Sequence, residues 1–224
     1  MLNKYYDAAR VARLVATGRH RDAVGGAWDE IGQLQLRFLV ERGLRPHHRL
    51  LDIGCGSLRA GIHFVDYLER NHYFGTDLSE SLLDAGYTVE LSEAGKQKLP
   101  RGNLICNGDF VFDWAQVKFD FAIAQSVFTH LPLAYFRTCL ERLTAVMQPG
   151  GMFFATLFDV PETHPLDEPF TQRHGRETHR DADPYHAHVS DVVRLCDDLP
   201  WRPSWIGEWG HPRFQRIIQF ENVM

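Results

Sequence analysis

The chain has only four cysteines in 224 residues, Cys55, Cys106, Cys139 and Cys196, and no two of them form a C-x-x-C pair or stand at zinc-knuckle spacing. That excludes a disulfide framework and a zinc site written in the sequence, and leaves free thiols in a reducing compartment. No run approaches the roughly 18 apolar residues that span a bilayer. The opening stretch, MLNKYYDAARVARLVATGRH, is charged throughout where a secretory signal needs an apolar core. A soluble, cytoplasmic protein with no membrane partner is therefore expected. Basic excess is lacking too: 24 Lys and Arg against 29 Asp and Glu give a net charge of −5. A protein whose task is to neutralise phosphates carries basic stripes, so no nucleic-acid partner is expected. Internal repeats and low-complexity segments are also absent. At this length one well-cored domain with an appendage fits, as a monomer or a homodimer.

What is present is alternation. Residues 1–46 read as helical and form a candidate cap or lid. Tyr5, Ala8, Val11, Ala12 and Val15 share one face. A second helix fits 27–42, with Trp28, Ile31, Gln35, Phe38 and Leu39 on one stripe and Asp29 and Glu30 favourably placed in its first turn. From 49 onward, short apolar strands at 49–53, 73–76, 103–107, 119–125 and 152–158 alternate with helices at 58–69, 79–94 and 133–147. In this reading Ser79 caps the second helix, Gly95 lies past its end, and Pro149-Gly150-Gly151 stops the third. This is the pattern of βαβ units on a mostly parallel sheet, an α/β class whose ligands sit beyond the carboxyl ends of the strands. Residues 159–184 are rich in Pro, His, Asp and Arg, have no periodicity and read as a long loop. A last helix at 190–199 and a hairpin from strands at 201–208 and 214–220 complete the chain.

The stretch LLDIGCGSLRAG, residues 50–61, resembles the dinucleotide fingerprint G-x-G-x-x-G but fails it. Gly54 and Gly56 match, the third place holds Arg59, and the next glycine is Gly61. Asp52 argues further against a dinucleotide. A carboxylate at the end of that strand opposes a pyrophosphate and suits an ammonium or a sulfonium. Asp77, followed by Leu78, stands 21 residues after Gly56, where an acid accepts hydrogen bonds from both ribose hydroxyls. Asp109-Phe110, after the third strand, offers an acceptor for an adenine amino group and a ring to pack on the base. A solvated loop acid and a plain turn are the alternatives for these two sites. Taken together the residues describe an adenosine with a cationic amino-acid end and no phosphate, which is S-adenosylmethionine.

From Leu50 to Phe158 the chain resembles the class I, Rossmann-like S-adenosylmethionine-dependent methyltransferases. The resemblance rests on Asp52-Ile53-Gly54-Cys55-Gly56, Gly75-Thr76-Asp77, Gly108-Asp109, Phe119-Asp120 and Pro149-Gly150-Gly151. It implies a seven-stranded sheet ending in an antiparallel hairpin, covering 47–224 with a substrate-side loop insertion at 159–189. It also implies S-adenosylhomocysteine as product. Ser57-Leu58 stands where many members carry a further glycine.

Methyl transfer is an in-line displacement that draws mostly on alignment, so no sharp catalytic motif is expected. His130, just beyond the fourth strand, is the candidate base, with a helix cap as its alternative. Gln125 and Ser126 at that strand's end are candidates for contact with the cofactor. Tyr5, Trp28, His164 and His186 are candidates for the substrate side. His186-x-His188 offers two metal ligands but no third, so no metal is expected. The places that would mark amino-methylating DNA enzymes, C5-cytosine enzymes and metal-dependent catechol-type enzymes hold other residues. The expected activity is metal-independent methylation of an oxygen or nitrogen of a small molecule. A protein or RNA methyltransferase, a non-catalytic S-adenosylmethionine-binding module and, less favoured, an NAD-dependent oxidoreductase stay open.

Overall fold

The computed structural model describes residues 3–224, apart from the side chain of Lys4. The chain divides into two compact units at Asp109/Phe110. The division does not fall at 46/47, because the N-terminal helices pack within the same unit as the first strands: α1 (Ala8–Ala16) on α5 (Glu80–Ala85), and α3 (Trp28–Glu41) on α4 (Gly61–Tyr67).

In the first unit, Asp7 caps α1 by accepting from the Arg10 N–H at 2.9 Å. The stripe expected on this helix is only partly buried. Val11 packs with Ala23 and Leu82, whereas Ala8 and Ala12 are exposed and Tyr5 lies in a separate 3-10 turn. A short α2 (His20–Ala23) leads to α3. β1 (Leu50–Ile53) is buried at all four positions and pairs in parallel with β2 (Tyr73–Asp77), which pairs in parallel with β3 (Leu104–Cys106). The strand order is β3-β2-β1.

Two expectations fail in this unit. The helix expected over 58–69 begins only at Gly61, because Leu58 takes a left-handed conformation, φ +65°. The single helix expected over 79–94 is three pieces: α5, a π-helical turn at Gly86–Glu90, and α6 (Glu93–Lys98). Ser79 does cap α5. Ser92 then caps a new helix by accepting from the Gly95 N–H at 3.0 Å, so Gly95 lies inside α6.

In the second unit β4 (Phe119–Ala124) pairs in parallel with β5 (Met147–Asp159), and β10 (Arg216–Asn222) runs antiparallel to both β5 and β9 (Trp201–Gly207). The order is β4-β5-β10-β9. With the three strands of the first unit this is the expected mostly parallel, seven-stranded content with a C-terminal antiparallel pair. A short β8 (His186–Ala187) adds itself in parallel to the end of β5. α7 (Leu133–Thr144) ends before the Pro-Gly-Gly triplet rather than at it. The triplet lies within β5, where the register against β4 shifts. A side chain at Gly151 would come within 3.1 Å of the Phe119 carbonyl oxygen, so the close strand approach requires glycine there.

The segment expected as a plain loop holds a small hairpin of β6 (Phe170–Thr171) and β7 (Glu177–Thr178). The last helix, α8 (Val189–Arg194), is shorter than expected. Phe136, Phe153, Phe154 and Phe220 form a fully buried aromatic core, with Phe128 stacked on Phe136 at 3.9 Å between ring centroids. No helix among the described residues is long and apolar enough to cross a membrane.

Candidate cofactor loop and substrate cavity

The loop after β1 is built for close backbone approach. Gly54 and Gly56 both take positive φ, +74° and +57°, a region only glycine enters without strain. Asp77, at the carboxyl end of β2, fixes this loop. One carboxylate oxygen accepts the Gly56 N–H at 2.9 Å and the other accepts the Ser79 N–H at 2.9 Å. Leu78 follows, its carbonyl 3.5 Å from the Cys106 thiol. Asp109 is exposed, in a turn where its N–H donates to the Asn107 side chain at 2.9 Å.

Asp52 is 3% exposed, and the Tyr73 hydroxyl donates to it at 2.8 Å. Burial pushes its pKa up to about 7, with the Tyr73 hydrogen bond and the Arg59 charge opposing that rise. Asp77 is likewise pushed up, to about 6, by burial. For both groups the folded value lies above the unfolded one. The stability they contribute is therefore present at low pH and lost as pH rises toward neutrality. A cation placed beside Asp52 would reverse that loss.

Tyr73 and Arg59 were not singled out as site residues from the sequence. Arg59, the residue that breaks the glycine fingerprint, is buried, and its guanidinium donates to the carbonyl oxygens of Val24 and Gly26 at 3.1 and 2.9 Å. Val24 lies directly over the loop, since a Cβ on Gly56 would stand 2.5 Å from its methyl carbon. Trp28 is buried, with the Arg21 guanidinium 4.6 Å above its ring. Arg21 and His20 both engage Glu90. Tyr5 is half-buried beside Asn3, whose side chain accepts from its N–H.

The second unit holds Phe110, Gln125, Ser126, His130, His164 and His186. Phe110 is buried in an aromatic group with Phe112 and Phe128, at 6.4 and 6.1 Å. Gln125 turns its amide nitrogen to His211 and Gln215, at 3.1 and 3.2 Å. The Ser126 hydroxyl accepts from the Gln215 amide at 2.8 Å, while its backbone N–H donates to the Thr156 hydroxyl at 2.7 Å. His130 is buried and does not cap α7. Its Nδ1 lies 2.5 Å from the Asp183 carboxylate, a partner that the sequence reading missed.

The loop histidines mostly tie the loop to itself. His164 bonds the Glu168 carbonyl oxygen at 3.1 Å, and His188 bonds that of His164 at 2.9 Å. The two ring nitrogens of His186 meet the Thr178 hydroxyl and the Leu166 carbonyl oxygen, and burial holds its pKa below the ordinary value. Among the described residues no group of three or more His, Cys, Asp or Glu side chains is arranged to hold a metal ion.

Within this unit lies a cavity of about 420 Å³. Its wall is mainly apolar, from Phe128, Leu131, Phe136, Leu157, Phe158 and Leu195, with Arg180, Tyr185, His186 and Asp191 supplying the polar groups. Pockets of roughly 300–1,000 Å³ with this balance hold small molecules.

A family model described as "Methyltransferase domain" matches residues 51–153. Among solved structures, the CcbJ methyltransferase from Streptomyces caelestis is similar over 100% of both chains, at 12% identity and a TM-score of 0.68. An amino pentose methyltransferase from Micromonospora echinaspora, solved with S-adenosylmethionine, matches 98% of this chain and 97% of its own at 16% identity and a TM-score of 0.61. Magnesium protoporphyrin IX methyltransferase from Synechocystis PCC 6803, also with S-adenosylmethionine, matches 99% and 85% at 15% identity and a TM-score of 0.60. The acid–glycine loop, the βαβ order and these matches agree: residues 51–153 are similar to a methyltransferase domain, and the chain has the Rossmann-like fold of the S-adenosylmethionine-dependent methyltransferases it resembles.

Proposed function

We propose that the protein transfers the methyl group of S-adenosylmethionine to an oxygen or nitrogen of a small molecule. The observation that carries this reading is the pairing of Asp77 with the Gly56 N–H in a loop whose other acid, Asp52, is buried without a directly bonded cation among the described residues. The donor supplies an activated methyl on a sulfonium. The chain's residues supply position and charge: Asp77 the ribose acceptor, Asp52 the anion facing the amino-acid end, and Gly54 and Gly56 the close approach. Asp109 offers an acceptor to the adenine edge. The relatives named above act on a porphyrin and an amino pentose, and the cavity of the second unit has the volume for a small acceptor.

Calorimetry tests the donor assignment. S-adenosylhomocysteine is expected to bind and NAD is not. Because a cation lowers the pKa of Asp52 from about 7, binding at pH 6 should release a proton. Affinity should rise about tenfold between pH 6 and pH 8. Buffers of different ionisation heat report that proton, and binding with no proton exchange would remove Asp52 from the site.

His130 is the proposed base. An imidazole whose Nδ1 is held by a carboxylate keeps Nε2 as the basic atom, and the carboxylate stabilises the imidazolium that forms. In this role Asp183 is a positioning residue. With an acceptor found by tritiated methyl transfer into fractionated small metabolites, His130→Ala should lower kcat about 100-fold or more. Asp183→Asn should lower kcat with KM little changed, because the imidazole loses the carboxylate that orients it. An unchanged kcat in both variants would leave the pair a purely structural contact.

A further inference from the structure

We infer that the acceptor is an apolar ring compound bearing one anionic oxygen group, held in the cavity of the second unit with the anion on Arg180 and Tyr185. The inference rests on the methyltransferase reading and narrows its substrate class. The cavity floor is aromatic and aliphatic: Phe128 and Phe136 stack at 3.9 Å, and Leu157 and Phe158 come from the buried end of β5. Such a surface favours a flat apolar body.

The polar groups of the wall decide the rest. Asp191 is engaged by Arg194 and lies 3.7 Å from His188, so its charge is already matched. His186 has both ring nitrogens bonded within the protein. Asp183 is taken by His130 and Asp181 does not line the cavity; burial, together with the charges of these two carboxylates, raises the pKa of the Tyr185 hydroxyl, which keeps it a proton donor. Two donors are left. Neither the Arg180 guanidinium nor the Tyr185 hydroxyl has a hydrogen-bond or ion-pair partner among the described residues. A guanidinium beside a phenol is a donor set for a carboxylate, sulfonate or phosphate oxygen. Arg180 is exposed at this wall, so water solvates its guanidinium in the free protein, and an anionic ligand in the cavity exchanges that water for a charge-assisted hydrogen bond.

Two fluorescent dyes of nearly the same shape test this on the intact protein without a methyl donor: anilinonaphthalene sulfonate, and phenylnaphthylamine, its neutral parent. The anionic dye should bind with saturation, and Arg180→Met should weaken it about tenfold while leaving the neutral dye unchanged. Leu166→Trp, which narrows the cavity from a loop position, should weaken both dyes. A melting curve for each variant shows that it has folded. Equal weakening of both dyes by Arg180→Met, or indifference of both to Leu166→Trp, would overturn the inference. Binding of S-adenosylhomocysteine, measured separately, reports on the methyltransferase reading, so the two can fail independently.

Discussion

Asp77→Ala is expected to weaken S-adenosylhomocysteine binding by about 100-fold or more. In the proposed role Asp77 accepts two charge-assisted hydrogen bonds from the ribose, each contributing about 1.5–3 kcal/mol, and both would disappear together. The loss reaches further than the ligand. The same carboxylate accepts the N–H groups of Gly56 and Ser79, so its removal frees the glycine loop and leaves two donors without their acceptor. Asp77→Asn separates these effects. Its amide keeps the volume and one acceptor oxygen but turns a donor toward one of the two N–H groups. It should therefore bind more weakly than wild type and more tightly than the alanine variant. Calorimetry on all three proteins, with melting curves to show that they fold, checks the order. Full affinity in Asp77→Ala would show that the ribose is held elsewhere.

The second large effect is expected at Gly86, which opens the π-helical turn. A Cβ built there would lie 2.7 Å from Leu58 Cγ and 2.8 Å from the backbone carbon of Ser57. The obstacle is the backbone of the glycine loop, which cannot rotate aside like a side-chain tip. Gly86→Val should therefore cost about 3 kcal/mol through overpacking, a fall of roughly 6–12 °C in Tm for a chain of this size. It should also weaken S-adenosylhomocysteine, because the displaced residues 57 and 58 belong to the loop proposed to receive it. Gly102→Ala is the control, since its new methyl would meet nothing within 4 Å, and its Tm should stay near that of wild type. If Gly86→Val melts with Gly102→Ala, the π-helical turn does not press on the loop.

The loop and strand ends of the proposed cofactor side are legible in the sequence because their signals are local. Asp52, Gly54, Gly56 and Asp77 sit at the ends of consecutive strands, where the period of the chain itself predicts them. Ser79 announces α5 by its own side chain. The parts that escape are long-range. Asp183 reaches His130 across 53 residues from a segment without periodicity, and nothing in its neighbours marks it. The cavity is assembled from residues 128–136, the end of β5 and residues 166–195, a set that no window of sequence contains. The misjudged breaks have local causes of another kind. Ser92 caps a helix inside what reads as one continuous apolar stripe, and Pro149-Gly150-Gly151 bends a strand where such a triplet usually ends a helix. Arg59 was visible only as a defect in a glycine pattern.

That defect has a consequence for the order in which the protein assembles. A third glycine would leave the loop self-contained, formed as soon as β1 and β2 pair. Arg59 instead bonds carbonyl oxygens 35 and 33 residues earlier in the chain, and such contacts form only after the intervening segment has closed. The final shape of the loop is therefore coupled to the docking of the helices before β1. The proposed donor site is thereby a property of the finished unit rather than of a motif.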